Sequence, residues 1–193
     1  VGGVQMGVQA ARPETLKLYN RQFQNESQVA NAFERLKNHG IKVKLELIVG
    51  GPVQDPVGDA IDTIKLAQRV GAGTFAAAFP LMLYPGTALY KWCVDNNIKM
   101  KTDCNYDYYS GEGSVFFDPD TQKKITNISK MAAFFVKYNV DERWMRALIE
   151  MDLNDTAARK LSESIYYESL RFQLDDQINQ EAFEKILANT RFK

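Results

Sequence analysis

The chain has 193 residues, of which 45% are hydrophobic and 25% are charged, and its formal net charge at pH 7 is zero. This composition is ordinary for a globular protein of one domain, or of one domain plus an appendage, with a sizeable core. Acidic and basic residues are interspersed, so no basic stripe indicates nucleic acid and no cationic amphipathic helix indicates a membrane surface. We expect neither partner.

The two cysteines bear on the cellular compartment. Cys93 and Cys104 are too few for a secreted disulfide scaffold and do not have the Cys-x-x-Cys spacing. We therefore expect free thiols in a reducing cytoplasm, with a disulfide between the two as the alternative. The sequence opens on a strand-like run with no helix or cap before it, and we expect it to be a piece of a longer chain.

Three segments show the alternation of apolar and polar residues that is typical of strands. The first ends at Gln9, on the face opposite its apolar residues. The second, Lys42–Val49, carries Glu46 on the face opposite its valines and leucines, which suits a barrel wall that lines a site or an edge strand with its acid in water. The third, over 75–79, contains three alanines, which either leave space for a bulky group or pack closely against helices.

Helix signals follow each strand. Pro13 suits the first position of a short helix, Asn25 opens a capping box, and Asp55 and Thr87 are the caps of two further helices. His39 falls in the last turn of the second helix, and we interpret it as a cap rather than a catalytic residue. The alternating order predicts parallel βα units, in which ligands bind at the carboxyl ends of the strands.

The pattern changes beyond about Asn97. An aromatic-rich loop leads into helical patterns with no strand among them, so we divide the chain into a βα part over 1–97 and an aromatic loop with a helical extension over 98–193. The loop predicts either a contact between two modules or a lid over a substrate. Its aromatic residues are Tyr106, Tyr108, Tyr109, Phe116 and Phe117.

Common catalytic signatures are missing from the sequence. No serine-histidine-acid set, zinc-ligand spacing or glycine-rich phosphate fingerprint can be assembled. Gly50-Gly51, just before a predicted helix, is by itself a weak phosphate signal.

Several short motifs nevertheless occur in a characteristic order. They are Gly7-Val8-Gln9, Glu14-Thr15-Leu16, Asn20-Arg21, Gly40-Ile41, Glu46-Leu47-Ile48-Val49-Gly50-Gly51-Pro52 and Tyr84-Pro85-Gly86-Thr87-Ala88-Leu89-Tyr90. In order and spacing this set resembles radical S-adenosylmethionine enzymes, especially the coproporphyrinogen dehydrogenase-like and cobalamin-binding branches. The resemblance covers about residues 3 to 92.

The chain also departs from that family. Ala10 stands where many members have serine, Glu46 where the porphyrin branch has aspartate, and Gly51 where leucine is usual. The Cys-x-x-x-Cys-x-x-Cys motif and the glycine-rich methionine-binding strand, which precede the matched stretch in the family, are absent. The resemblance therefore implies the second half of a partial TIM-type barrel followed by an α-helical region. With its neighbouring strands missing, the first strand would have an open edge, and we expect the chain to self-associate.

The resemblance further implies an iron-sulfur-dependent oxidoreductase or methyltransferase that reductively cleaves S-adenosylmethionine and acts on a small-molecule substrate. It implies that Gln9 and Glu46 bind the ribose hydroxyls and that Arg21 binds the methionine carboxylate. A reductant protein would supply electrons, and the second branch would add cobalamin. The ligands of the four-iron four-sulfur cluster must lie outside this chain, because such a cluster needs at least three thiolates and the chain has two cysteines. We expect this piece alone to be inactive.

Two other hypotheses remain open. One is a non-catalytic half-barrel that serves as an interaction module. The other is an ordinary βα-barrel enzyme that binds phosphate at Gly50-Gly51 and uses Glu46 as a base.

Overall fold

A computed structural model describes residues 3–71, 74–101 and 112–152. Cys104, the three tyrosines of the predicted aromatic loop and the helical patterns beyond residue 152 lie outside the described residues. The elements, in chain order, are β1 (Gly3–Gln9), α1 (Pro13–Leu18), α2 (Glu26–Asn38), β2 (Lys42–Val49), α3 (Pro56–Gly71), β3 (Phe75–Pro80), α4 (Ala88–Asp95), α5 (Pro119–Lys137) and α6 (Glu142–Ile149).

The strands form one three-stranded parallel sheet in the order β1-β2-β3. β2 is central, and its Glu46 lies opposite Gly7 on one side and Ala77 on the other. Parallel neighbours need long crossover connections, which α1 and α2 supply before β2 and α3 supplies before β3. The predicted mixed α/β fold with parallel βα units is confirmed, whereas the barrel stays a prediction.

One face of the sheet is buried against helices. Leu45, Leu47 and Val49 of β2 have no exposed surface and belong to one hydrophobic core. α3 and α5 both contribute to this core, and α5 contacts β3 and α3 extensively. α5, the first described helix after Asn97, therefore packs directly on the sheet. The domain boundary predicted there stays a prediction.

The opposite face of the sheet is only partly buried. Lys44, Glu46 and Ile48 alternate with the buried residues of β2, and Phe75 and Phe79 of β3 lie beside them. Parallel sheets are usually covered on both faces. This second face, which we call the open face, therefore resembles a surface that lines a cavity more than one that fills a core.

The helix ends agree with the sequence. Asn25 and Gln28 form a complete capping box at α2, and the Thr87 side chain accepts a hydrogen bond from the Tyr90 N–H at α4. His39 is the C-terminal cap of α2, with Nδ1 2.7 Å from the carbonyl oxygen of Arg35. Its predicted role as a cap is confirmed. In the part of the chain that the structure describes, no helix is long and apolar enough to span a membrane.

The outer edge of β1 leads to a prediction about association. Among the described strands β1 pairs with β2 alone, and an unpaired edge is a template for another strand. We expect concentration-dependent self-association of this chain in sedimentation velocity at micromolar concentrations. Gln5 is an exposed residue of β1. Gln5→Lys should reduce the self-association, because a charged side chain on an edge strand opposes pairing with another strand.

Asn31, exposed on α2, provides the matched control. Asn31→Lys adds the same charge away from the edge and should leave association unchanged. A stable monomer of the unaltered chain at every concentration would contradict this prediction.

Candidate functional site

A pocket of about 380 Å³ lies at the carboxyl ends of the strands. This volume is within the range of small-molecule sites, and the position is the one that βα folds use for ligands. Its lining combines two polar side chains with apolar and aromatic ones: Gln9, Glu46, Ile48, Phe79, Pro80, Leu81, Met82 and Tyr84.

Glu46 supplies the carboxylate of the pocket. It lies on the open face, with its side chain 30% exposed, so that it can still meet a ligand. Its neighbours in register are Gly7 and Ala77, neither of which has a long side chain of its own beside the carboxylate. Ala76 and Ala78 of the alanine-rich strand pack in the core on the helix side, whereas Ala77 lies on the open face opposite Glu46.

Gln9 reaches the pocket through an unusual turn. The Ala10 N–H donates to the Val8 carbonyl at 2.9 Å, so Gln9 is the centre of a three-residue turn, and its φ is +66°. Such a turn is rare and strained for a residue with a side chain. The pairing of β1 with β2 is irregular at the same place, between Gly7 and Gln9.

The turn folds the Gln9 side chain back over its own strand. A Cβ added at Gly7 would collide with Gln9 Nε2, so the carboxamide occupies the space that a side chain at Gly7 would fill. Because Gly7 is the register partner of Glu46, the amide and the carboxylate lie over adjacent strands and face the same pocket. Strain at a residue that lines a pocket is typical of functional positions.

Lys44 lies on the open face next to Glu46. Its Nζ is 3.5 Å from Glu46 Oε1, and it is 5.8 Å and 5.7 Å from the ring centres of Phe75 and Phe79. Both distances are within the range of cation–π contacts. Lys44 itself is not among the residues that line the pocket.

Arg21 is placed differently from the other two predicted site residues. It follows α1 in a turn in which its backbone N–H donates to the Leu16 carbonyl at 2.6 Å, and it is partly buried. It is not among the residues that line the pocket. The structure thus brings Gln9 and Glu46 together, and the assignment of Arg21 to a carboxylate stays a prediction.

Side chains from other elements pack closely against the Gly50-Gly51 turn. Gly50 has a φ of +71°, and a Cβ there would lie 3.0 Å from Ile125 Cγ2. At Gly51 a Cβ would lie 2.6 Å from the hydroxyl of Tyr19. At the start of the next helix, Asp55 Oδ1 already accepts from the Gly58 N–H at 2.9 Å. These contacts explain the glycines by packing and disfavour a phosphate cradle.

Cys93 is unsuited to metal binding. It is fully buried in an apolar cluster with Leu81, Leu83 and Val115, and burial raises the pKa of its thiol. Within residues 3–71, 74–101 and 112–152, no group of three or more histidine, cysteine or acidic side chains could hold a metal ion. These residues do not fit an iron-sulfur cluster.

Asp59 of α3 is a buried carboxyl outside the pocket. Its Oδ1 accepts a hydrogen bond of 2.7 Å from Thr15 Oγ1, while Oδ2 has no partner among the described residues. Burial raises the pKa of Asp59, and this effect outweighs the opposing effects of the Thr15 hydrogen bond and the Arg12 charge.

Sequence reasoning missed part of the site. Phe79, Met82 and Tyr84 line the pocket, but the sequence pattern places Phe79 only in the third strand and Tyr84 only in a motif, and it assigns Met82 no role. Their position at or after the carboxyl end of a parallel strand was the available signal, because that is where βα folds present side chains to ligands.

Comparison with known protein families and curated proteins identifies no relative of this chain. No protein-family model matches the sequence, and no curated protein matches it either. The residues of the pocket and the motif resemblance are therefore the indications of function.

A prediction concerns the pH dependence of stability. A carboxyl whose pKa is raised on folding contributes stability that is complete below its unfolded pKa, 3.8, and is lost as the pH rises through the folded pKa. Asp59→Asn cannot lose a proton and keeps an acceptor for Thr15. The free energy of unfolding of the variant, minus that of the unaltered chain, should therefore increase from pH 4 towards neutrality, as measured by urea denaturation.

Asn31→Ala, at an exposed position of α2, serves as the control, and its difference should not vary with pH because neither side chain titrates. A difference for Asp59→Asn that is constant or decreases with pH would show that the pKa is not raised.

Proposed function

We propose that this chain is the second half of a partial TIM-type barrel in a radical S-adenosylmethionine enzyme, and that its pocket binds the ribose of that cofactor. The enzyme would be an iron-sulfur-dependent oxidoreductase or methyltransferase acting on a small molecule. The observation that carries the proposal is that Gln9 and Glu46, the two residues assigned to ribose by the resemblance, line one pocket at the carboxyl ends of parallel strands.

The chemistry of the pocket fits a nucleoside. Glu46 offers carboxylate oxygens that accept hydrogen bonds from hydroxyls, and Gln9 offers both a donor and an acceptor. A vicinal diol needs such a pair of neighbouring groups. Ile48 and Phe79 add apolar surface beside the two polar groups, which suits the flat face of a base.

The cofactor would supply radical hydrogen abstraction, with the cluster held by cysteines outside this chain. The residues of this chain would bind and orient the cofactor and would keep water from its ribose. The proposal includes a reductant protein that supplies electrons and a reducing compartment, the cytoplasm. If the enzyme belongs to the cobalamin-binding branch, it also includes cobalamin.

The phosphate hypothesis is less well supported than this proposal. It needs an open cradle at Gly50-Gly51, but Tyr19, Ile125 and Phe117 approach these glycines closely. An interaction module remains the main alternative, because a partly buried sheet face is also what a docking surface would show. The two are distinguished by cofactor binding.

The proposal predicts the effect of two substitutions on affinity for S-adenosylmethionine. Glu46→Ala removes a charged acceptor, and we expect a loss of about ten- to a hundredfold. Gln9→Ala removes a neutral partner and should cost less. If both residues hold one diol, the double variant should lose less than the sum of the two free-energy changes. The measurement is calorimetry on the full-length protein that contains this chain, loaded with its cluster.

Glu34→Ala, which removes an exposed carboxylate from α2, is the control and should leave the affinity unchanged. An affinity that is unchanged in both single variants would reject the ribose assignment. Loss of turnover in Glu46→Ala with unchanged affinity would favour a general base instead.

A further prediction concerns the cluster. Anaerobic reconstitution of this chain with iron and sulfide should give no stoichiometric cluster, because Cys93 is buried among apolar side chains and two cysteines are too few. Iron and sulfide analysis and the visible absorption spectrum provide the measurement. One cluster per chain that is lost in Cys93→Ser would overturn the assignment of the ligands to another segment.

A further inference from the structure

Lys44 lies beside the pocket, on the same face of β2 as Glu46. Its Nζ is 3.5 Å from Oε1 of Glu46 and 5.7 Å from the ring centre of Phe79, and both of these residues line the pocket. Lys44 does not line it. Its closest contacts with the pocket are therefore with two residues that line it, Glu46 and Phe79.

The register of the sheet explains how Lys44 is held. Phe75 lies opposite Lys44, Ala77 opposite Glu46, and Phe79 opposite Ile48. Because Ala77 is small, the lysine side chain can lie across it, between the two phenyl rings. The ammonium is then close to a ring on each side and to a carboxylate at its end, and ring faces attract cations.

We propose that Lys44 is a positioning residue that fixes the orientation of the Glu46 carboxylate. Oε1 is held by Lys44, which leaves Oε2 to accept a hydrogen bond from a ribose hydroxyl. This inference depends on the proposed function, since it concerns the same ribose. It adds a residue that the motif resemblance does not include.

The charges support this division of roles. An ammonium has three donors and no acceptor, so it complements a carboxylate but cannot accept from a hydroxyl. Both side chains are about 30% exposed, so water weakens their attraction, and the pair alone contributes little to folding. An orienting role needs only that one rotamer of Glu46 be preferred, which a contact of this strength can achieve.

The first test compares affinities for S-adenosylmethionine by calorimetry on the full-length cluster-loaded protein. Lys44→Met keeps the unbranched chain between the rings but removes the charge, and we expect affinity to fall by about fivefold. Lys44→Arg keeps a cation that stacks on aromatic rings, and its affinity should stay within about twofold of that of the unaltered protein. Lys37→Met, at an exposed position in the last turn of α2, is the control and should have no effect.

The second test asks whether Lys44 acts through Glu46. In a Glu46→Ala background, Lys44→Met should cause almost no further loss, because the group that Lys44 orients is gone. Lys44→Met alone should also have almost no effect on the affinity for the 2′,3′-dideoxy analogue of S-adenosylmethionine, because this analogue lacks the hydroxyls that Glu46 would bind. A residue that only stabilises the fold would weaken both ligands equally and would also lower the melting temperature.

The outcomes separate the two proposals. If the unaltered protein does not bind S-adenosylmethionine, both proposals are wrong. If Glu46→Ala weakens binding and Lys44→Met does not, the ribose assignment stands and the positioning role is wrong. Equal losses from Lys44→Met in the presence and absence of Glu46 would also overturn the positioning role.

Discussion

The register of β2 is the constraint on which the rest of the structure depends. Leu45, Leu47 and Val49 are fully buried against helices, while Lys44 and Glu46 alternate with them on the open face. A shift by one residue would exchange the two sets and place a carboxylate and an ammonium in the apolar core, at a cost of several kcal/mol. The register is therefore fixed by the core, and the same register determines which small residues flank Glu46.

Much of the fold could be predicted because its signals are local. The period-two alternation indicated the strands, and Asn25, Asp55 and Thr87 marked helix starts within a few residues. The docking of α5 onto β3 was not predicted. A helical pattern tells which side of a helix is apolar, but it does not tell which element that side will contact, because the partner is distant in sequence.

The same distinction applies to the site. Gln9 and Glu46 could be placed at or near the carboxyl ends of two strands, since parallel strands end at one edge of a sheet. Two other features could not be predicted, because each depends on contacts between residues that are distant in sequence. They are the contacts of Lys44 with two rings of β3 and the close approach of Tyr19 to Gly51. The left-handed backbone of Gln9 also gave no signal, since glycine is the residue usually found in such turns.

That backbone conformation has an evolutionary consequence. Glycine at position 9 would relieve about 1–3 kcal/mol of strain, but it would also remove the carboxamide that lies over Gly7. Selection for folding alone therefore favours glycine, whereas the proposed ribose site requires glutamine. If the proposal is correct, a relative with glycine at this position would keep the scaffold but not the ribose contact.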